Sequence, residues 1–313
     1  MARYLVTGGA GFIGSHLTGA LRARGDSVRV VDDLSSGRLD NLAGFSEVEF
    51  IQGDLADADV ARRAVHEIDY VLHLAAIPSV PRSVTDPVRS HRANVDGTLN
   101  ILVAARDAGV KRLVFAGSSS VYGSEPGLPK RESMPTAPMS PYALQKLTGE
   151  IYCRLFHRLY GLETVVTRFF NVFGPRQDPG SPYSGVISLF VTALATGRRP
   201  LIHGEGGQTR DFTYVENVVD GVLRAVTAPK AAGEVFNVAT GHRVSLLDLL
   251  GALAREMAAS ADPEFAPARA GDVRDSLADI SKAGELLGYS PGVSFDEGLR
   301  RTIAWYLASQ AGR

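Results

Sequence analysis

The chain has 313 residues, 45% apolar and 21% charged, which suits a globular protein with ample core, built as one large domain or two. Its net charge of −1 and pI of about 6.7 give no electrostatic footprint for nucleic acid or a polybasic membrane anchor. No apolar run approaches the roughly 18 residues of a membrane span. The single cysteine, Cys153, excludes an intramolecular disulfide and points to a cytoplasmic protein. The seven histidines are scattered without metal-ligand spacing, so no metal is expected.

The N-terminus reads as a strand, Arg3-Tyr4-Leu5-Val6-Thr7, running into a glycine turn rather than as a cleaved leader. The turn, Gly8-Gly9-Ala10-Gly11-Phe12-Ile13-Gly14, opens a helical pattern through Leu17 and Leu21. A second strand, Val28-Arg29-Val30-Val31, ends in Asp32-Asp33. Gly8, Gly11 and Gly14 let the backbone approach a pyrophosphate that the helix N-terminus stabilises. Asp32, 18 residues after Gly14, is placed to accept hydrogen bonds from an adenosine ribose, which favours NAD over a 2′-phosphorylated cofactor. A glycine pattern alone is a weak signal; strand, helix, second strand and acid in sequence are not.

Strand-like runs follow at 48–51, 70–74 and 113–116, separated by amphipathic helical segments around 58–67 and 92–108. This alternation predicts an α/β fold with a Rossmann-type, doubly wound parallel sheet. Ligands in such sheets sit beyond the carboxyl ends of strands, which places Asp54 and Leu55 at an adenine and Ala75 and Ala76 along the cofactor. Gly117-Ser118-Ser119-Ser120 follows the next strand, so hydroxyls occupy a strand end.

Ser140-Pro141-Tyr142-Ala143-Leu144-Gln145-Lys146 is a helix start: Ser140 is a good N-cap and Pro141 has no N–H to leave unpaired. Ala143, Leu144, Leu147, Ile151 and Leu155 recur at helical spacing. Tyr142 and Lys146 then share a face one turn apart. For Tyr142 to act as a base near neutral pH, its pKa must fall by about three units, or about 4 kcal/mol. A fixed ammonium and a cationic ring push in that direction. On an ordinary helix the pair is an exposed Tyr and Lys; the cofactor turn upstream gives it a use.

One more strand at 164–169 leads into Phe170-Asn171-Val172-Phe173-Gly174-Pro175. Beyond about 175 the pattern becomes less regular, with Pro/Gly-rich loops and helices predicted at 185–196, 246–257 and 295–308. We expect a NAD-binding domain over 1–175 and a smaller C-terminal α/β substrate-binding region over 176–313, of which about 210–245 returns to the large domain. Arg210 and Arg269 stand on loops of this second region, where a planar fork of donors matches phosphate.

Together these residues resemble the extended short-chain dehydrogenase/reductase family, and within it the UDP-hexose 4-epimerases, over nearly the whole chain. The resemblance implies Ser118, Tyr142 and Lys146 as the catalytic set. Lys146 would hold the nicotinamide ribose and lower the pKa of Tyr142. It implies Asn94, in Ala93-Asn94-Val95-Asp96-Gly97, as a residue near the cofactor. It also implies Ser118, Ser120, Tyr142, Asn171, Arg210, Arg269, Asp272 and Ser276 as the set that holds a UDP-sugar. Dehydratases of the family carry an Asp-Glu pair after the catalytic hydroxyl residue, and decarboxylases keep the Glu. Ser119 and Ser120 stand there in this chain, which argues against both reactions. The reaction so implied is NAD-dependent 4-epimerisation of a UDP-hexose, with UDP-glucuronate as an alternative substrate. Less favoured are a dehydratase or reductase of the same fold and a non-catalytic dinucleotide sensor. The resemblance also implies a homodimer that pairs the helices around 92–108 and 143–160.

Overall fold

The computed structural model describes residues 1–45, 47–178, 185–267 and 273–311. Seven parallel strands form the central sheet: β1 (Arg3–Thr7), β2 (Ser27–Asp32), β3 (Glu49–Gln52), β4 (Tyr70–His73), β5 (Arg112–Ser118), β6 (Glu163–Phe169) and β7 (Val235–Val238). Their order is β7-β6-β5-β4-β1-β2-β3. The chain reverses direction across the sheet between β1 and β4, and a doubly wound sheet opens its ligand crevice at such a reversal.

The strands are apolar on both faces because helices cover both. Tyr4 and Val6 of β1 pack into one core with Leu17 and Leu21 of helix α1 (Phe12–Ala23). Leu5, pointing the other way, packs into a second core with Ile101 and Leu102 of α2 (Gly97–Asp107) and Phe156 of α3 (Pro141–Tyr160). Helix Val215–Thr227, which the sequence pattern had not singled out, brings Val218 and Val222 to the first core, and β7 follows it into the sheet. A third core, around Phe173, Phe190, Ile202, Leu249 and Tyr306, unites helices Val186–Ala195, Leu246–Glu256 and Phe295–Ala311 with two-stranded pairings.

Helix α3 begins as its sequence dictates: the Ser140 hydroxyl accepts the Ala143 N–H at 3.1 Å, Pro141 fills the first position, and Gly161 ends the helix at φ +73°. Its orientation is less obvious. Leu144, Ile151 and Leu155, the apolar positions that mark it as a helix, are exposed. The face against the sheet carries Ala143, Lys146, Glu150, Cys153 and Phe156. Glu150 is buried as the bidentate partner of Arg168 on β6, at 2.9 and 2.6 Å. The helical run before α2 also starts earlier than its periodicity suggested, through Val80–Thr85 and Pro87–His91 and a π-turn at Arg92–Asp96.

Candidate active site

One cleft of about 740 Å³ runs from the β1–α1 turn past the ends of β4 and β5 into the C-terminal region, a size that suits small-molecule ligands. At its first end, Gly8 (φ +65°) donates to Val31 O at 2.8 Å and lies so close to Ala75 that a Cβ would stand 2.9 Å from its backbone. A Cβ at Gly14 would run into the Gly8 carbonyl. Strand, turn and helix therefore meet at backbone contact, leaving the α1 N-terminus bare toward the cleft. At the end of β2 the Asp32 carboxylate accepts Ala10 N–H at 3.0 Å and Leu34 N–H at 2.8 Å, and burial raises its pKa. Gly11, Phe12, Ile13, Asp54, Leu55 and Ala76 line the same end. A bare helix N-terminus beside a fixed acid fits the diphosphate and adenosine ribose of a dinucleotide such as NAD.

A chain of buried hydrogen bonds, not signalled by any sequence motif, fixes this end. The Thr7 hydroxyl accepts Leu74 N–H and Ala75 N–H, both at 3.1 Å, so its own proton goes to His73 Nδ1 at 2.7 Å. His73 Nε2–H then donates to Thr98 Oγ1 at 3.0 Å, and Thr98 donates to Asn94 O at 2.7 Å. Burial lowers the His73 pKa to about 3, which keeps the ring neutral and the relay intact. The Asn94 amide is not among the residues lining the cleft. It accepts Ile77 N–H at 2.7 Å and donates to Gln145 Oε1 at 2.8 Å. Its amide thus joins the loop after β4 to α3.

In the middle of the cleft stand Ser118 at the end of β5 and Tyr142 and Lys146 on the first turns of α3. The Ser83 hydroxyl accepts Tyr142 N–H at 3.0 Å. The Ser118 and Ser120 hydroxyls are 2.8 Å apart, and Ser118 Oγ also accepts Ser120 N–H at 3.2 Å. Burial raises the phenol pKa of Tyr142, and the hydrogen bond from Ser118 draws it back. Lys146, one turn further along α3, is buried. Its ammonium donates to Ala116 O at 2.9 Å over the Phe115 ring, and burial lowers its own pKa to about 8. The Ser118 hydroxyl favours a phenolate at Tyr142.

At the far end, Asn171, Arg210 and Ser276 all line the cleft. Asn171 Nδ2 donates to Asp211 O at 3.4 Å. Arg210 Nη1 donates to the carbonyls of Thr209 at 2.9 Å and Arg274 at 2.8 Å, and Ser276 N–H donates to Thr209 O at 3.0 Å. Arg269 and Asp272 lie outside the described residues. Asn41, Lys130, Arg176 and Gln177 also line the cleft. The sequence did not single out Asn41, Lys130 or Arg176 as site residues, since none of them belongs to a motif of its own, and Gln177 entered only as the start of a stretch similar to epimerases that include N-acetylhexosamine-active members.

The family model described as "NAD dependent epimerase/dehydratase family" matches residues 4–239. The chain therefore belongs to that family, and it is a NAD-using enzyme of the UDP-sugar 4-epimerase kind, an isomerase. It is 43% identical over 309 residues to a UDP-glucose 4-epimerase of Mycolicibacterium smegmatis, covering 97% of this chain and 98% of that one. Among solved structures, it resembles the UDP-N-acetylglucosamine 4-epimerase of Methanobrevibacter ruminantium in complex with UDP-N-acetylmuramic acid (TM-score 0.94, 39% identity, 98% and 99% coverage). It also resembles the UDP-glucose 4-epimerase of Thermotoga maritima with UDP-glucose (TM-score 0.95, 38% identity, 98% and 99% coverage).

Proposed function

We propose that the protein interconverts the C4 epimers of a neutral UDP-hexose, UDP-glucose and UDP-galactose first, with UDP-N-acetylglucosamine and UDP-N-acetylgalactosamine as further substrates. The observation that carries this reading is the Ser118–Tyr142–Lys146 cluster flanked by Ser119 and Ser120 instead of carboxylates. Loss of water from the sugar needs an extra acid and base, and those two positions offer neither.

Bound NAD supplies reversible hydride acceptance at C4. Tyr142 removes the proton of the 4-hydroxyl as the C–H bond opens and returns it to the oxygen on the way back. Ser118 hydrogen-bonds that oxygen and steadies the phenolate, with Ser120 orienting the Ser118 hydroxyl. Lys146 fixes the ribose beside Tyr142. Asn171, Arg210, Arg269 and Asp272 hold the nucleotide diphosphate, so the 4-keto hexose turns over without leaving. Binding energy at this remote end keeps the intermediate in place. Gly8, Gly11, Phe12, Ile13, Gly14, Asp32, Asp54, Leu55, Ala75, Ala76 and Asn94, with Tyr142 and Lys146, hold the dinucleotide.

Ser276 is small, and a 2-acetamido group needs that room. The binding labour divides between a cofactor part, 1–175, and a substrate part, 176–313. The exposed stripe of Leu144, Ile151, Leu155 and Leu159 on α3 supports a homodimer through that helix.

The test is product analysis by NMR with UDP-glucose, UDP-N-acetylglucosamine and UDP-glucuronate in parallel, without added cofactor. A 4-epimer from a neutral hexose supports the proposal. Conversion of UDP-glucuronate alone moves the substrate assignment, and a 4-keto-6-deoxy product or no turnover overturns the reaction.

A further inference from the structure

Arg176 sits at the corner after Gly174-Pro175, where the chain passes into its C-terminal region, and it lines the cleft. Its backbone is left-handed, at φ +67°, a region unfavourable for a residue with a Cβ and kept mainly where function holds it. Two contacts hold the corner. His16 Nε2–H donates to Pro175 O at 2.9 Å, with the ring kept neutral by a pKa lowered to about 4 through burial, and Tyr306 OH donates to Gln177 O at 2.7 Å.

The guanidinium lies over the Phe45 ring at 5.3 Å, and Phe45 in turn covers α1 at Gly19, where a Cβ would stand 2.8 Å from the ring. Among the described residues Arg176 forms no ion pair, and its Nη1 is buried without a hydrogen-bond partner. Burial lowers its pKa. A strained, partly desolvated and uncompensated cation in a cleft calls for an anion from outside the chain.

We propose that Arg176 is the counter-ion of the cofactor diphosphate, reaching from the start of the C-terminal region onto the α1 N-terminus and making NAD retention depend on the 174–178 corner. The cofactor is favoured over the substrate diphosphate because both supports of Arg176, His16 and the Phe45 ring on Gly19, belong to or rest on α1. Arg210, at the other end, is fastened instead to the carbonyls of Thr209 and Arg274. The inference rests on use of NAD and not on the epimerase reading, and it is tested without turnover.

Wild-type, Arg176→Met and Arg176→Lys proteins, stripped of nucleotide, are titrated calorimetrically with NAD and with ADP-ribose. UDP is titrated into the same proteins at saturating NAD. We expect Arg176→Met to weaken NAD and ADP-ribose equally, by about tenfold or more, with partial rescue by Lys. UDP affinity should move by less than about twofold, since Arg176 lies off the substrate end. The apo melting temperature of Arg176→Met should not fall, because the lost cation is uncompensated. Weakening of UDP with NAD unchanged, or of neither, overturns the proposal. So does an apo protein that loses stability while keeping its NAD affinity. A wild-type protein that binds no NAD would overturn the cofactor assignment and this inference with it, whatever the epimerase assay gives.

Discussion

Lys146 Nζ donates to the backbone carbonyl of Ala116 at 2.9 Å, two residues before Ser118 on the same strand. The ammonium is thereby fastened to the strand that carries the catalytic hydroxyl, while its helix carries the catalytic phenol. Ser118, Tyr142 and Lys146 are one rigid unit spanning β5 and α3. Rigidity of this kind is what places a base within reach of a single hydroxyl proton.

Tyr142→Phe keeps the ring and removes the only phenol in that unit. Turnover should fall by about a thousandfold with the fold intact. The check is the rate of epimer formation alongside a circular dichroism spectrum. A variant working at the wild-type rate would sink the mechanism.

Removing the Ser118 hydroxyl takes away the hydrogen bond that draws the Tyr142 pKa down. The phenol pKa must then rise, so a smaller fraction is ionised at any given pH. In Ser118→Ala the acidic limb of the pH–rate profile should move to higher pH by about one unit, with a rate loss of about 10- to 100-fold at pH 7. An unshifted limb would mean that Ser118 acts only in binding.

Burial lowers the Lys146 pKa from 10.5 to about 8, so the folded apoprotein disfavours the ammonium. A charged Lys146 costs stability in full below pH 8. The cost shrinks as pH rises and is gone above the unfolded value of 10.5. Lys146→Met should therefore stabilise the apoprotein by about 2 kcal/mol at pH 7 and by nothing near pH 10.5, while abolishing turnover. Urea unfolding at the two pH values decides it.

Ser276→Tyr fills the space assigned to the 2-acetamido group. The ratio of kcat/KM for UDP-N-acetylglucosamine to that for UDP-glucose should drop by about tenfold or more, with the UDP-glucose value nearly kept. An unchanged ratio would move the acetamido pocket elsewhere.

The cofactor turn and the start of α3 were readable in the sequence because their causes are local. A glycine at a crowded turn, an acid at a strand end, and a Ser-Pro pair before a helix act within about one turn of themselves. The same holds for the alternation of strands and helices that foretold the parallel sheet. Helix Val215–Thr227 was passed over, since its apolar positions gain meaning only against α1 and the sheet.

By itself, then, the sequence determined the fold class, the dinucleotide turn and the Tyr142/Lys146 pair. Tertiary structure alone decided which way those groups face and what they lean on. It turned the apolar stripe of α3 outward and Lys146 inward, and it joined Thr7 to His73 across 66 residues. It sent the Asn94 amide to Ile77 and Gln145, and it set Arg176 on Phe45. The physical reason is range: backbone preference and periodicity are fixed by near neighbours. Burial, and with it each pKa and buried hydrogen bond, is fixed by residues that become neighbours only on folding.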